Sequence, residues 1–257
     1  MFERKRHWLG FSLLAMAACF VFLVSLANEG CKGKTPVQST FVATATPALA
    51  SNIISNLEDG SLHMNSVSFP DGVWYASTWD LGNIINSNYV TCGNVGANGT
   101  DCAIHLFGNI TDYSDGQYPS FQLEGILSKG YYDGSAFSGV NFYYKTGTAD
   151  TCSFRRFNLV IAQTQQDIKG GTCPSNCFDH YGYNLNETYG VWKQAKYYYN
   201  TTLGSPALSR NGWGYPTGIT LSGIYLKQII ELQWQFGRNG TKGTSYVDYW
   251  VDEVEFF

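Results

Sequence analysis

The sequence is poor in charge. Only 14% of its 257 residues are Asp, Glu, Lys or Arg, and the net charge is −4. A nucleic-acid partner needs a basic patch or stripe, and nothing here suggests one. Histidine is scarce as well, at four residues, one of which is His7. There is no His-Glu-X-X-His zinc helix and no Gly-X-Ser-X-Gly elbow. From Asn52 onward no segment carries a 3.6-residue apolar stripe over ten or more residues, and there is no internal repeat. These absences set aside nucleic-acid binding, the common metal- and serine-dependent hydrolases, and helical or repeat architectures.

The one long apolar run lies at the N-terminus. "MFERKRH" is basic, and "WLGFSLLAMAACFVFLVSLA", Trp8 to Ala27, is uncharged. A basic start followed by an apolar run is an export signal, and about 20 residues also suffice to span a bilayer. Three outcomes stay open: cleavage near Ser25-Leu26-Ala27, lipidation of Cys31, or retention as an uncleaved membrane anchor. All three place the rest outside the cytoplasm, in the cell envelope, at the cell surface or secreted. Residues 1–31 are thus a signal peptide or anchor. Residues 32–51, rich in Thr, Ala, Ser and Pro, form a linker.

The remaining 52–257 has the size of one all-β domain. It is dense in aromatics, 16% of the whole sequence with 18 Tyr and 7 Trp. Its pattern is short alternating runs broken by Gly, Asn, Asp and Ser: "GVWYAST", "SFQLEGIL", "GVNFYYKTG", "RRFNLVIAQT", "WKQAKYYYN", "IIELQWQFG" and "YVDYWVDEVEFF". Such runs are strands, and many in one domain predict a β-sandwich or jelly roll. Six of the seven cysteines follow the apolar core of the signal or lie beyond it, and in an exported protein cysteines are generally oxidised. Pairing of sequence neighbours within loops, Cys92 with Cys102 and Cys173 with Cys177, is the economical expectation, although spacing alone does not fix connectivity. Cys152 is then left over, a free buried thiol if Cys31 carries lipid.

Three stretches in order carry a resemblance: "NLEDGSLHMNSVSFPDGVWYAST" from Asn56; "GGTCPSNCFDHYGYNL" from Gly170, followed by Trp192 and "RNGWGYP"; and the terminal "DYWVDEVEFF". Together they resemble the galactose-binding-like jelly-roll carbohydrate-binding domains, particularly family 11 carbohydrate-binding modules. The resemblance spans Asn56 to Phe257. Leu57 stands where that family has an aromatic, and Glu253 where it has a second Asp. The resemblance implies a structural Ca2+ where the first strand meets the last, held by Glu58, Asp59 and Asp252, since calcium takes six to eight oxygens.

Alternation nominates a binding face. In β-strand period, Glu231, Gln233 and Gln235 share one side opposite Ile230, Leu232, Trp234 and Phe236. Arg156 and Asn158 stand opposite Phe157, Leu159 and Ile161. Tyr143 stands with Asn141 and Lys145, opposite Val140, Phe142 and Tyr144. A polar side without partners does not belong in an apolar core, so it is either a groove or ordinary exposed surface. His180 and Tyr181 follow the Cys173–Cys177 loop, and Trp213 sits between glycines, so each is either a ligand contact or a packed loop residue. Trp192 and Trp234 fit core positions. The expectation is a non-catalytic protein binding a polysaccharide or oligosaccharide, β-glucan-like, through Tyr143, Arg156, Asn158, His180, Tyr181, Trp213, Glu231, Gln233 and Gln235. The alternatives are a structural or interaction protein built on the same sandwich, and a weak glycoside hydrolase.

Overall fold

A computed structural model describes residues 52–65, 67–78, 84–110, 120–237 and 244–257. The expected signal or anchor, Cys31 and the linker lie outside the described residues. Among the described residues no helix is long and apolar enough to cross a membrane.

Among the described residues, eleven strands form two antiparallel sheets. They are β1 (Ile53–Ser55), β2 (Val73–Thr78), β3 (Ile84–Cys92), β4 (Cys102–Ile110), β5 (Ser120–Ile126), β6 (Gly139–Thr146), β7 (Phe154–Ile161), β8 (Tyr181–Asn184), β9 (Lys193–Tyr198), β10 (Ile229–Gly237) and β11 (Ser245–Phe256). The six-stranded sheet runs β3-β4-β11-β6-β9, with β1 also paired to β11. The five-stranded sheet runs β2-β5-β10-β7-β8. This is the expected all-β sandwich, and all seven runs singled out in the sequence are strands.

The inward residues of both sheets interdigitate. Trp234 of β10 meets Phe142 of β6 edge-on at 5.0 Å between ring centroids, and Phe236 meets Tyr249 at 4.7 Å. Trp74 lies 5.6 Å from Trp234 on the neighbouring strand β5's far side. All these rings are buried, and truncating one to alanine typically costs about 3–5 kcal/mol.

Two bulges set which side chains go inward. In β10 the register on β7 shifts between Ile229 and Glu231. Ile229 therefore joins the main core, while Ile230 packs separately with Val160 and Ala162. Strict alternation had placed Ile230 in the core, and the extra residue is why it is not. In β11 the register on β6 shifts between Asp252 and Glu255, and Glu253 has φ 47°. Without that bulge Glu253 would follow Val247, Tyr249 and Val251 inward; with it, Val254 and Phe256 are buried instead. β1 docks on the end of β11 through Ile53↔Glu255 and Ser55↔Val254.

Candidate functional site

The outer face of the five-stranded sheet is polar, and pairing aligns its side chains into rows. One row runs Tyr75, Glu124, Gln233, Asn158 and Gly182 across β2, β5, β10, β7 and β8. The next runs Ser77, Gln122, Gln235, Arg156 and Asn184. Glu231 extends the face one step along β10.

These groups bond one another. Tyr75 Oη donates to Glu124 Oε2, and Ser77 Oγ donates to Glu124 Oε1 at 2.6 Å. Gln233 Nε2 donates to Gln122 Oε1 at 3.3 Å and Glu231 Oε1 at 3.4 Å. Asn158 Nδ2 donates to Gln233 Oε1 at 2.9 Å and Gln235 Oε1 at 3.3 Å. Arg156 Nε donates to Asn158 Oδ1 at 3.0 Å, Nη1 to Asn184 Oδ1 at 3.0 Å, and Nη2 to the Ser209 carbonyl at 2.5 Å. Gly182 is required here: a Cβ would stand 2.4 Å from Asn158 Oδ1 and 2.7 Å from Arg156 Nε. The centre of the network is buried, whereas Tyr75, Ser77 and Gln235 are half-exposed and Asn184 is exposed.

The two carboxylates differ in surroundings. Glu124 accepts two hydroxyls, and the Lys169 ammonium lies 3.9 Å away. Glu231 has one long amide contact. Burial, then the neighbouring Glu124 charge, pushes its pKa up to about 8. Burial pulls the Arg156 guanidinium downward.

Arg156, Asn158, Glu231, Gln233 and Gln235 thus come together as the alternation suggested. Gln122, Glu124, Tyr75 and Ser77 complete the face and were not singled out. The even positions of "SFQLEG" and the odd ones of "VWYAS" carried the signal, but their strand order was not readable.

Tyr143 does not join them. It lies on β6, paired with Asp252 and Gln194, in the other sheet. The alternation was right about its side but not about which sheet that side belongs to. Trp192 is likewise not core: it is half-buried, its Nε1 donates to the Val95 carbonyl at 3.3 Å, and the Lys145 ammonium stands 4.6 Å from its ring centroid.

His180 and Tyr181 are packed inward. His180 is buried beside Thr164 Oγ1, 2.8 Å from Nδ1, and burial drives its pKa down to about 3. Tyr181 Oη donates to the Ile219 carbonyl at 2.7 Å. Trp213 is exposed on its turn. What holds that turn is Asp179, a buried carboxylate. It accepts the Asn211, Gly212 and Gly214 amides at 2.8, 2.8 and 3.0 Å, and Arg210 Nε donates to its carbonyl at 2.8 Å. A Cβ on Gly214 would lie 2.3 Å from Asp179 Cβ, so that glycine permits the approach. Both expected disulfides are formed, Cys92–Cys102 and Cys173–Cys177, and Cys152 is free and buried. Burial raises the Cys152 pKa to about 11, which keeps it an unreactive thiol.

The residues proposed for calcium reach one loop from two sides, but that loop offers donors. Asp252 Oδ2 accepts the Ala97 amide at 2.8 Å and Thr100 Oγ1 at 2.7 Å, and Oδ1 accepts the Glu253 amide at 2.7 Å. Glu58 Oε1 accepts the Asp101 and Cys102 amides at 3.1 and 3.0 Å. Asp59 turns to Ser61. A calcium ion requires converging oxygens, and these carboxylates are already occupied by N–H and O–H groups. The three residues as arranged do not fit the ion; Glu58 and Asp252 instead pin the Cys92–Cys102 loop to both ends of the chain's β core.

No family model matches the chain, and no curated protein matches it. Several solved structures are similar in fold. One is a family 11 carbohydrate-binding module from Clostridium thermocellum in complex with a β-1,3-1,4-mixed-linked tetrasaccharide. It is 14% identical, covering 72% of this chain and 88% of that one, with a TM-score of 0.46. A second is a carbohydrate-binding module specific for non-crystalline cellulose, 14% identical over 73% of this chain and 90% of that one, with a TM-score of 0.37. A third is an exo-β-agarase, 11% identical over 80% of this chain but 25% of that one, with a TM-score of 0.45. At such identities the likeness is one of fold.

Proposed function

We propose that this protein is a non-catalytic carbohydrate-binding protein of the cell envelope, taking a β-glucan-like polysaccharide across the outer face of its five-stranded sheet. The observation that carries the reading is the pair of aligned polar rows, which together reach all five strands. Four inter-strand spacings of about 4.8 Å make the face roughly 19 Å wide. Its amides (Gln122, Gln233, Gln235, Asn158 and Asn184) both donate and accept, which suits neutral, hydroxyl-rich chains. The network among them fixes their orientation before a ligand arrives, and preorganisation lowers the cost of binding. The envelope assignment rests on the basic and apolar N-terminal segment.

Affinity electrophoresis in gels containing soluble glucans, xylans or mannans tests this. Retardation is expected on a β-glucan, weakened by Gln235→Ala. A well-folded protein that no glycan retards would refute the reading. The scaffold reading has its own support, since the central amides are buried against one another, and that null result would favour it. Sugar release from a glycan panel, abolished in Glu231→Gln, would instead point to a hydrolase.

A further inference from the structure

A cavity of about 310 Å³ opens beyond the edge strand β8. Tyr181, Tyr199, Leu208 and Leu221 give it apolar surface, while Thr201, Ser209, Arg210, Thr217 and Thr220 bring polar groups to it. Its position relative to the sheet is fixed by pairing. Gly182 and Ser209 exchange amide–carbonyl bonds at 2.9 and 3.0 Å, so the chain at Ser209 continues the sheet past β8. Arg156, in the second polar row, donates to the Ser209 carbonyl. The cavity therefore begins where the polar face ends.

Its walls are braced. Asp179 ties down the 210–214 turn on one side. Asn200 Nδ2, donating to the Leu221 carbonyl at 2.8 Å, joins the two segments of the other. Its chemistry is neutral overall. Among the described residues lining it Arg210 is the one that is charged, and Asp179 Oδ2 lies 3.5 Å from Arg210 Nη2. That Nη2 is buried and turned to the Asp179 carboxylate, so the guanidinium charge is already matched. An anion has no further positive charge to meet.

We infer that this cavity is a subsite for the terminal residue of a glycan chain whose preceding residues lie on the sheet face. The volume stands at the lower end of the range for small-molecule sites, enough for a single sugar ring. Hydroxyl-bearing side chains beside Tyr and Leu surface match a sugar ring, which carries hydroxyl edges and apolar C–H faces. The inference rests on the carbohydrate reading of the face and adds to it a preference for chain ends.

Isothermal titration with a mixed-linkage β-glucan tetrasaccharide tests it. Two parallel arms use the borohydride-reduced alditol and the tetrasaccharide methylated at its non-reducing end. Thr217→Trp and Thr201→Trp add bulk to two separate segments of the lining at exposed positions, where folding tolerates the change. Each variant should bind the intact tetrasaccharide at least tenfold more weakly, and one of the two modified sugars should lose a similar factor with the wild-type protein. Wild-type affinity in both variants and for both modified sugars, with Gln235→Ala still impaired, would overturn the subsite and leave the face reading standing. No binding of any sugar by the wild-type protein would overturn both.

Discussion

Replacing Glu231 with glutamine should stabilise the protein in alkaline solution and leave it unchanged in acid. Glu231 is buried on the polar face, and its pKa rises from 4.5 to about 8. An acid whose folded pKa is raised contributes its full stability below the unfolded pKa and loses it as pH rises through the folded one. The window is therefore about pH 4.5 to 8. One pKa unit corresponds to about 1.4 kcal/mol, so ionising this group costs about 3 kcal/mol at pH 7 and up to about 5 above pH 8. Glutamine keeps the acceptor oxygen that Gln233 Nε2 meets at 3.4 Å and removes the charge. For a domain of this size about 1 kcal/mol moves Tm by about 2–4 °C. Glu231→Gln should thus melt roughly 10 °C above the parent at pH 8.5 and within about 1 °C of it at pH 4, followed by circular dichroism or calorimetry. A Tm difference that is the same at both pH values, or a parent more stable than the variant at pH 8.5, would refute the electrostatic account.

Other outcomes follow from the same groups. Asp179→Ala strips three amides of their acceptor and leaves Arg210 without its counter-charge. Urea denaturation should show a loss of about 3–5 kcal/mol, the usual result of breaking a buried pair from one side; a loss below about 1 kcal/mol would show that the turn stands without it. Exhaustive treatment with chelator should leave Tm unchanged, because Glu58 and Asp252 already hold N–H and O–H donors; a fall of several degrees, restored by calcium, would show that the loop rearranges around an ion. Asp252→Ala should nonetheless destabilise by about 2–3 kcal/mol in chelator, because the buried amide of Ala97 and the hydroxyl of Thr100 lose their acceptor.

The sandwich was legible because its strands alternate cleanly. "RRFNLVIAQT" and "IIELQWQFG" gave the correct sides for Arg156, Asn158, Gln233 and Gln235, since period two fixes facing once a strand is granted. What alternation omits is partnership. Tyr143 alternates as well as Gln233 does, yet its strand lies in the opposite sheet, and no local pattern says which of two sheets a strand joins. Bulges are the second blind spot. Ile230 and Glu253 sit where one added residue reverses the facing, and neither flanking sequence announces it. The third is the buried turn anchor: Asp179 looks like any loop acid until the 210–214 segment, some thirty residues on, folds over it. The surroundings of Glu58 and Asp252 were illegible for a related reason, since an acid in the sequence does not reveal whether donors or acceptors gather round it.

The strand order also bears on how the chain reaches this state. In the six-stranded sheet β4 and β6 touch only through β11, and in the other β5 and β7 touch only through β10. Both sheets are therefore bridged at their middles by the two strands that come last in sequence. The earlier strands can form local pairs such as β3 with β4, but neither sheet has a continuous centre before β10 and β11 insert. Contacts of this kind span long stretches of chain, and folding that depends on them is slow. A half-assembled molecule would present four strand edges in addition to the outer ones, two on each sheet, to whatever else is nearby. Chaperone demand and aggregation during synthesis should thus concentrate in the interval before the final two strands are available, and substitutions within β10 or β11 should lower soluble yield more than equally buried substitutions at the sheet margins.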